Sequence, residues 1–160
     1  VEFKIKNMNN KWDLRFMELA DVTASWSKDT RTKVGSVIVK GKNPISMGFN
    51  GFPAGVKDLS ERFLPPEKYD WTIHSEANSI VQAAKNGQKT EGCVMYVTLF
   101  PCCNCAGLIV NAGIKKVICK NKPDFSNEKY GKSWKTALTI FEEAGITVEY
   151  LNEEIISKFI

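Results

Sequence analysis

The chain has 160 residues, of which 43% are hydrophobic and 25% charged, amounts that suit one folded domain over 1–160 with its own core. Twenty-two basic residues against 18 acidic ones leave a formal charge of +4. That favours an anionic small ligand, but it is too small and too dispersed for a duplex-binding surface, so nucleic acid is not an expected partner. No apolar run reaches bilayer length and no signal-peptide pattern opens the sequence, so no membrane association is expected and a cytoplasmic setting is (a host cytoplasm, if a phage encodes the chain).

In chain order, residues 10–28 read as a first helix, with Trp12, Phe16, Leu19, Ala20 and Thr23 on one face and Asn9 or Asn10 as its cap. "KVGSVIVK" (33–40) and "ISMGF" (45–49) read as a hairpin around a turn at 41–44. The stretch 50–69 holds Gly51, Pro53, Gly55, Pro65 and Pro66 and reads as a long irregular loop, a length usually kept for function or an interface. Residues 75–86 form a second predicted helix, stopped by Gly87. "CVMYVTLF" (93–100) is apolar without alternation, as a strand covered on both faces would be. A third helix follows over 103–111, then a strand to Cys119, a loop over 120–131, a fourth helix over 132–144 and a last strand, "ITVEYL". Residues 152–160 suit a short helix. Strands and helices alternate after the hairpin, which predicts an α/β fold with a partly parallel sheet and helices on its faces.

Five cysteines occur, at 93, 102, 103, 105 and 119. An odd count without an export signal argues for a reducing compartment and against a disulfide framework. Three of them crowd into "PCCNC" at the start of the third predicted helix, and the only histidine, His74, stands just before the second. Cys102 and Cys105, three apart at a helix start, can point at one ion. With His74 they make three ligands, which leaves a tetrahedral Zn²⁺ one position for water. The unpaired N–H groups of a helix start favour the thiolate form. Cys103 is a poor fourth ligand because neighbouring side chains in a tight turn diverge, and Cys93 and Cys119 read as buried small residues.

Glu76 stands two residues after His74. A carboxylate there can reach a water on the metal without being a ligand, and can take and redeliver its proton. H-x-E followed by P-C-x-x-C is the zinc nucleobase deaminase signature. Here it reads His74-Ser75-Glu76 and Pro101-Cys102-Cys103-Asn104-Cys105. Either half is weak alone; in this order, each beside a predicted helix start, they are specific.

Most of the chain resembles the cytidine and deoxycytidylate deaminase superfamily, and its deoxycytidylate branch above all. "SKDTRTKVGSVIV" is similar to S-K-D-P-x-T-K-V-G-A-V-I-V, "GFNGFPAGV" to G-Y-N-G-F-P-x-G-V, "HSEANSI" to H-A-E-x-N-A-I, and "MYVTLFPCCNCAGLIVNAGIKKVI" to M-Y-V-T-x-x-P-C-x-x-C-A-K-x-I-x-x-A-G-I. The "NGFPAGV" loop narrows the likeness to the nucleotide-specific branch. The resemblance implies a three-layer α/β/α sandwich around a mixed sheet of about five strands. It implies zinc-dependent hydrolysis of dCMP to dUMP and ammonia, which supplies thymidylate synthesis, with attack at C4 and Glu76 protonating N3 and then the leaving ammonia.

The same resemblance implies that backbone groups beside His74, at Ser75, and beside Cys102 hold the base edge. It has Asn50 contacting the deoxyribose and Phe49 or Phe52 walling the pocket. Lys28, Arg31 and Lys33 are the local basic candidates for the 5′-phosphate, with Arg62, Lys129 and Tyr130 as alternatives. Many relatives are hexamers activated by dCTP and inhibited by dTTP, so a homo-oligomer is expected. Asn50, Gly51, Pro53 and Gly55 are then a candidate effector loop, with Mg²⁺ accompanying a triphosphate, although the same residues can simply shape a turn. Ser75, Phe49, Thr30 and Gly107 depart from the quoted patterns, and the first is expected to be harmless because the main chain is used there. The four tryptophans read as core or interface residues. Rival functions are deamination of dCTP, of a 5-substituted dCMP or of deoxycytidine, then of guanine or a tRNA adenosine, and last a non-enzymatic zinc module.

Overall fold

The computed structural model describes residues 11–151; the predicted caps at Asn9 and Asn10 and the predicted short helix at 152–160 lie outside them. Strands β1 (Gly35–Lys40), β2 (Asn43–Phe49), β3 (Val94–Val97), β4 (Lys116–Cys119) and β5 (Thr147–Tyr150) form one sheet in the order β2-β1-β3-β4-β5. The β2/β1 and β1/β3 pairs are antiparallel, and β3/β4 and β4/β5 are parallel. Helix α1 (Lys11–Ser25) covers one face. Helices α3 (Ser75–Lys85), α4 (Cys103–Asn111) and α5 (Gly131–Glu143) cover the other, and the short α2 (Lys68–Trp71) lies in the segment before α3. The expected three-layer α/β/α sandwich with a five-stranded mixed sheet is what the chain forms.

Strand alternation divides the core. Val37, Val39, Tyr96 and Ile118 pack with Phe16, Met17 and Ala20 of α1. Ile38, Met95, Val97, Val117 and Cys119 pack with Ala106 and Ile109 of α4 and Ala137 and Phe141 of α5. β3 lies at the centre of the sheet and is covered on both faces, which is why its sequence does not alternate.

The bounds differ from expectation where local physics overrides pattern. α1 stops at Ser25, where the amides of Trp26 and Ser27 bond back only three residues, to Thr23 and Ala24. β2 starts at Asn43 and includes Pro44, because β2 is an edge strand where a missing N–H costs little, and the register shifts there. The 50–69 stretch is more ordered than predicted. It carries a 3₁₀ turn (Ser60–Phe63), a bridge between Gly51 and Ile73, a Phe52–Phe63 stack at 4.5 Å and Arg62 over the Trp71 ring at 3.9 Å.

Gly48 sets where α3 sits. A β-carbon there would overlap the carbonyl of Ser75 and the amide of Ser79, so only glycine lets the helix approach β2 this closely. Gly48→Ala is expected to cost about 1–3 kcal/mol, as overpacking does, read as a lower urea midpoint. An unchanged midpoint would show that α3 yields freely.

Candidate active site

The antiparallel start and parallel remainder of the sheet bring Gly35, Phe49, Val97, Cys119 and Tyr150 to one end. Ligands bind beyond the carboxyl ends of parallel strands in such sheets, and here α3 and α4 both begin there. His74 is the N-cap residue of α3 and Cys102 that of α4. The Cys102 sulfur accepts the Cys105 amide at 3.5 Å, a cap made by a thiol instead of a hydroxyl.

His74 Nδ1 lies 3.5 Å from the sulfur of Cys102 and 3.5 Å from that of Cys105, and the three ligand atoms fall within 4.8 Å of one another. Tetrahedral zinc, with bonds of about 2.0–2.1 Å to nitrogen and 2.3 Å to sulfur, holds such atoms about 3.5 Å apart. The residues present therefore fit the ion, and Nδ1 is the nitrogen that would hold it. Cys103 is not in the cluster; its amide donates to Ser133 Oγ at 3.0 Å. Cys93 and Cys119 are fully buried in the core, as expected.

The electrostatics agree with a cation site. Hydrogen bonds from the Cys105 side chain and from His74 bring the Cys102 thiol down to about 4. Cys105 is pushed up, first by its hydrogen bond to Cys102 and then by burial, because a second thiolate beside the first needs a cation. His74 is raised by its hydrogen bond to Cys102, against burial. Glu76 is 4% exposed, and burial raises its carboxyl above the ordinary range, against hydrogen bonds from its own backbone amide and from the Ser75 hydroxyl, 3.1 Å from Oε2.

These groups open on a cavity of about 470 Å³ lined by Asn50, His74, Ser75, Glu76 and Cys102, with Val34, Leu99, Phe100, Tyr130 and Trp134 as apolar walls. Its size suits a small ligand. Asp29, Thr32, Lys68, Tyr69, Thr72 and Asn127 complete the lining. Asn50 is 7% exposed. Its Oδ1 accepts from the Val34 amide and its Nδ2 donates to the Thr32 carbonyl, each at 2.8 Å, so its side chain also braces the cavity wall.

Several predicted site residues lie elsewhere. Phe49 and Phe52 line a different cavity, of about 540 Å³, between Trp26 and the side of α3. Strand alternation turns Gly48 toward α3 and Phe49 away from it, to meet Trp26 edge-on at 6.3 Å, while Phe52 stacks on Phe63. Lys28, Arg31 and Lys33 do not line the catalytic cavity. Lys28 pairs with Asp58, and Thr32 and Val34 take the lining positions on either side of Lys33. Arg31 is close enough to Tyr69 only to help lower its phenol, after Lys129, which acts first through a hydrogen bond. Arg62 lies on Trp71 instead. Gly51 is held by its bridge to Ile73. Pro53 and Gly55 belong to a turn closed by the Val56 amide on the Pro53 carbonyl, where Gly55 has φ +83°.

Lys68, Tyr69 and Trp134 were not legible as cavity residues; Trp134 packs against the core, as expected, and also walls the cavity. Tyr130 and Trp134 are four apart, so their rings lie together at 5.5 Å, a helical spacing that could have flagged them. Lys68 is anchored by Asp29 at 3.0 Å. Burial alone would raise Asp29, but the Thr32 and Arg31 amides and Lys68 together hold it below its ordinary value.

A three-layer α/β/α sandwich with two converging helix caps, a His/Cys/Cys cluster and a buried carboxylate defines a zinc-dependent hydrolase of nucleobase amines. The chain belongs to the cytidine and deoxycytidylate deaminase family: residues 10–121 match the model of its zinc-binding region. It is 39% identical over 149 residues to a deaminase named for the luxG 3′ region of Aliivibrio fischeri, covering 93% of this chain and 99% of that one. It is 40% identical over 147 residues to the deoxycytidylate deaminase of Mus musculus, covering 86% and 78%. The structure of dCMP deaminase from cyanophage S-TIM5 in complex with dCMP and dUMP superposes with a TM-score of 0.71 at 26% identity, over 86% of this chain and 95% of that one. No helix among the described residues is long and apolar enough to cross a membrane.

Proposed function

We propose that the chain is, as one domain, a dCMP deaminase that adds water at C4 of the cytosine ring and expels ammonia to leave dUMP. The observation that carries this reading is the buried Glu76 beside a zinc-type ligand set on a cavity of nucleotide size. The names of the relatives and the dCMP and dUMP bound by the cyanophage enzyme support the choice of substrate. His74, Cys102 and Cys105 would hold zinc, which when bound would supply a water acidified to near neutrality. Glu76 takes one proton from the attacking water and delivers it to N3, then takes the second from the new C4 hydroxyl and delivers it to the departing nitrogen as the C4–N bond breaks. Its raised pKa suits a group that must hold the proton between those transfers. Asn50 faces the sugar, and the Ser75 and Cys102 turns hold the base edge.

For the 5′-phosphate the structure supports cations other than those nearest the signature block. Lys129 does not itself line the cavity but bonds the hydroxyl of Tyr69, which does, at 2.9 Å, and it has no carboxylate partner among the described residues, whereas Lys68 is balanced by Asp29. An absorbance assay would compare dCMP, dCTP, CMP, deoxycytidine and 5-methyl-dCMP, with and without dCTP or dTTP as effector. dCMP should react fastest. Lys129→Ala should raise KM for dCMP about tenfold while leaving deoxycytidine within about twofold, the size expected for one charge-assisted contact. Strong deoxycytidine turnover with none on dCMP would overturn the substrate assignment.

A further inference from the structure

Ser36, Ser46, Ser75 and Ser79 are all buried where the β1–β2 hairpin meets the first turn of α3. Ser36 Oγ donates to the Ser75 carbonyl at 2.8 Å and lies 3.0 Å from Ser79 Oγ. Ser79 Oγ donates to the Glu76 carbonyl at 2.9 Å, and Ser46 Oγ to the Ser79 carbonyl at 2.6 Å. A lone buried hydroxyl is costly, and these satisfy each other and the helix carbonyls. The quoted patterns carry alanine at 36, 75 and 79, so three of the four hydroxyls depart from them, and they cluster on the peptide units that carry Glu76. The remaining hydroxyl bond is the one with a chemical consequence, because Ser75 Oγ donates to Glu76 Oε2 at 3.1 Å.

We propose that Ser75 is a positioning residue for Glu76. Its hydroxyl holds the carboxylate in the orientation that faces the cavity, and Ser36 and Ser79 lock the backbone from which both side chains spring. This rests on Glu76 being the proton carrier. From the sequence, serine at this position is expected to be harmless because the main chain is used there, but its side chain touches the Glu76 carboxylate.

The test uses the zinc-loaded protein and whichever nucleotide it deaminates fastest. Ser75→Ala, a change to the family residue, should fold and hold zinc like the parent. Its kcat should fall about tenfold with KM within about twofold, the loss expected when one hydrogen bond orienting a charged group is removed. In a Glu76→Asp background, where the shortened carboxylate no longer reaches the hydroxyl, the same change should cost less than about twofold, since coupled residues are not additive. A merely structural role would cost the same in both backgrounds. Crystal structures of the parent and Ser75→Ala proteins supply a reading independent of turnover, with Glu76 Oε2 displaced in the variant. A kcat within twofold of the parent, equal losses in both backgrounds, or an unmoved carboxylate overturns the proposal. None of these touches the deaminase reading, which falls if the zinc-loaded parent deaminates none of the cytosine nucleotides and nucleosides in the absorbance panel.

Discussion

Glu76→Gln is expected to lower kcat by about 10³-fold or more, within the range of general acid–base catalysis, while zinc content stays at the parent level. Glutamine keeps the shape and can still accept from Ser75 through its carbonyl oxygen, but it cannot take and return a proton. Folding should not suffer. Burial raises the Glu76 carboxyl in the folded protein, so ionising it opposes folding once the pH exceeds the ordinary carboxyl range. In metal-free protein the parent therefore loses stability relative to the glutamine variant as pH rises from the ordinary carboxyl value through the raised one. The two should be alike in acid below that window. Parallel urea titrations across pH read this directly. A variant that turns over substrate like the parent would remove Glu76 from the chemistry.

The second large effect concerns the ligands. Cys105→Ala should abolish zinc retention and turnover together, and chelation of the parent should do both reversibly. Zinc binds the folded state, so its loss should lower the thermal midpoint. At zinc about a thousandfold above its Kd, binding contributes about 4 kcal/mol. Protons report the same event. The Cys102 thiol, at about 4, is already ionised near neutrality, whereas Cys105 is raised and His74 is raised. Binding should therefore release about one proton from Cys105, plus a fraction from His74 that grows as pH falls. Calorimetric titration in buffers of different ionisation enthalpy measures this number. Zinc content unchanged in Cys105→Ala would break the three-ligand assignment.

How far the sequence could be read differs from residue to residue. His74, Glu76, Cys102 and Cys105 were legible because each pair is set by short spacing at a helix start, where caps and first-turn positions have fixed directions. The α/β alternation and the doubly covered β3 were legible for a similar reason, since periodicity and burial are local. The position of Pro44 inside β2 was not, because an edge strand is defined by what fails to pair with it.

What the sequence alone determined is the reaction: one imidazole, two thiolates three apart, and a carboxylate two residues from the histidine. What only the tertiary structure decided is which side chains surround that reaction. Lys28 and Lys68 are equally basic on paper, yet Lys68 lines the cavity and Lys28 reaches away to Asp58. Phe49 and Trp134 changed places in the same way, one turned aside by strand alternation and the other delivered by α5. Ser36 and Ser79 lie 43 positions apart and meet only because Gly48 lets α3 settle on the hairpin. Metal chemistry restricts residue type and spacing so sharply that it shows in one dimension. A pocket wall is made of directions, and directions exist only after the chain has packed.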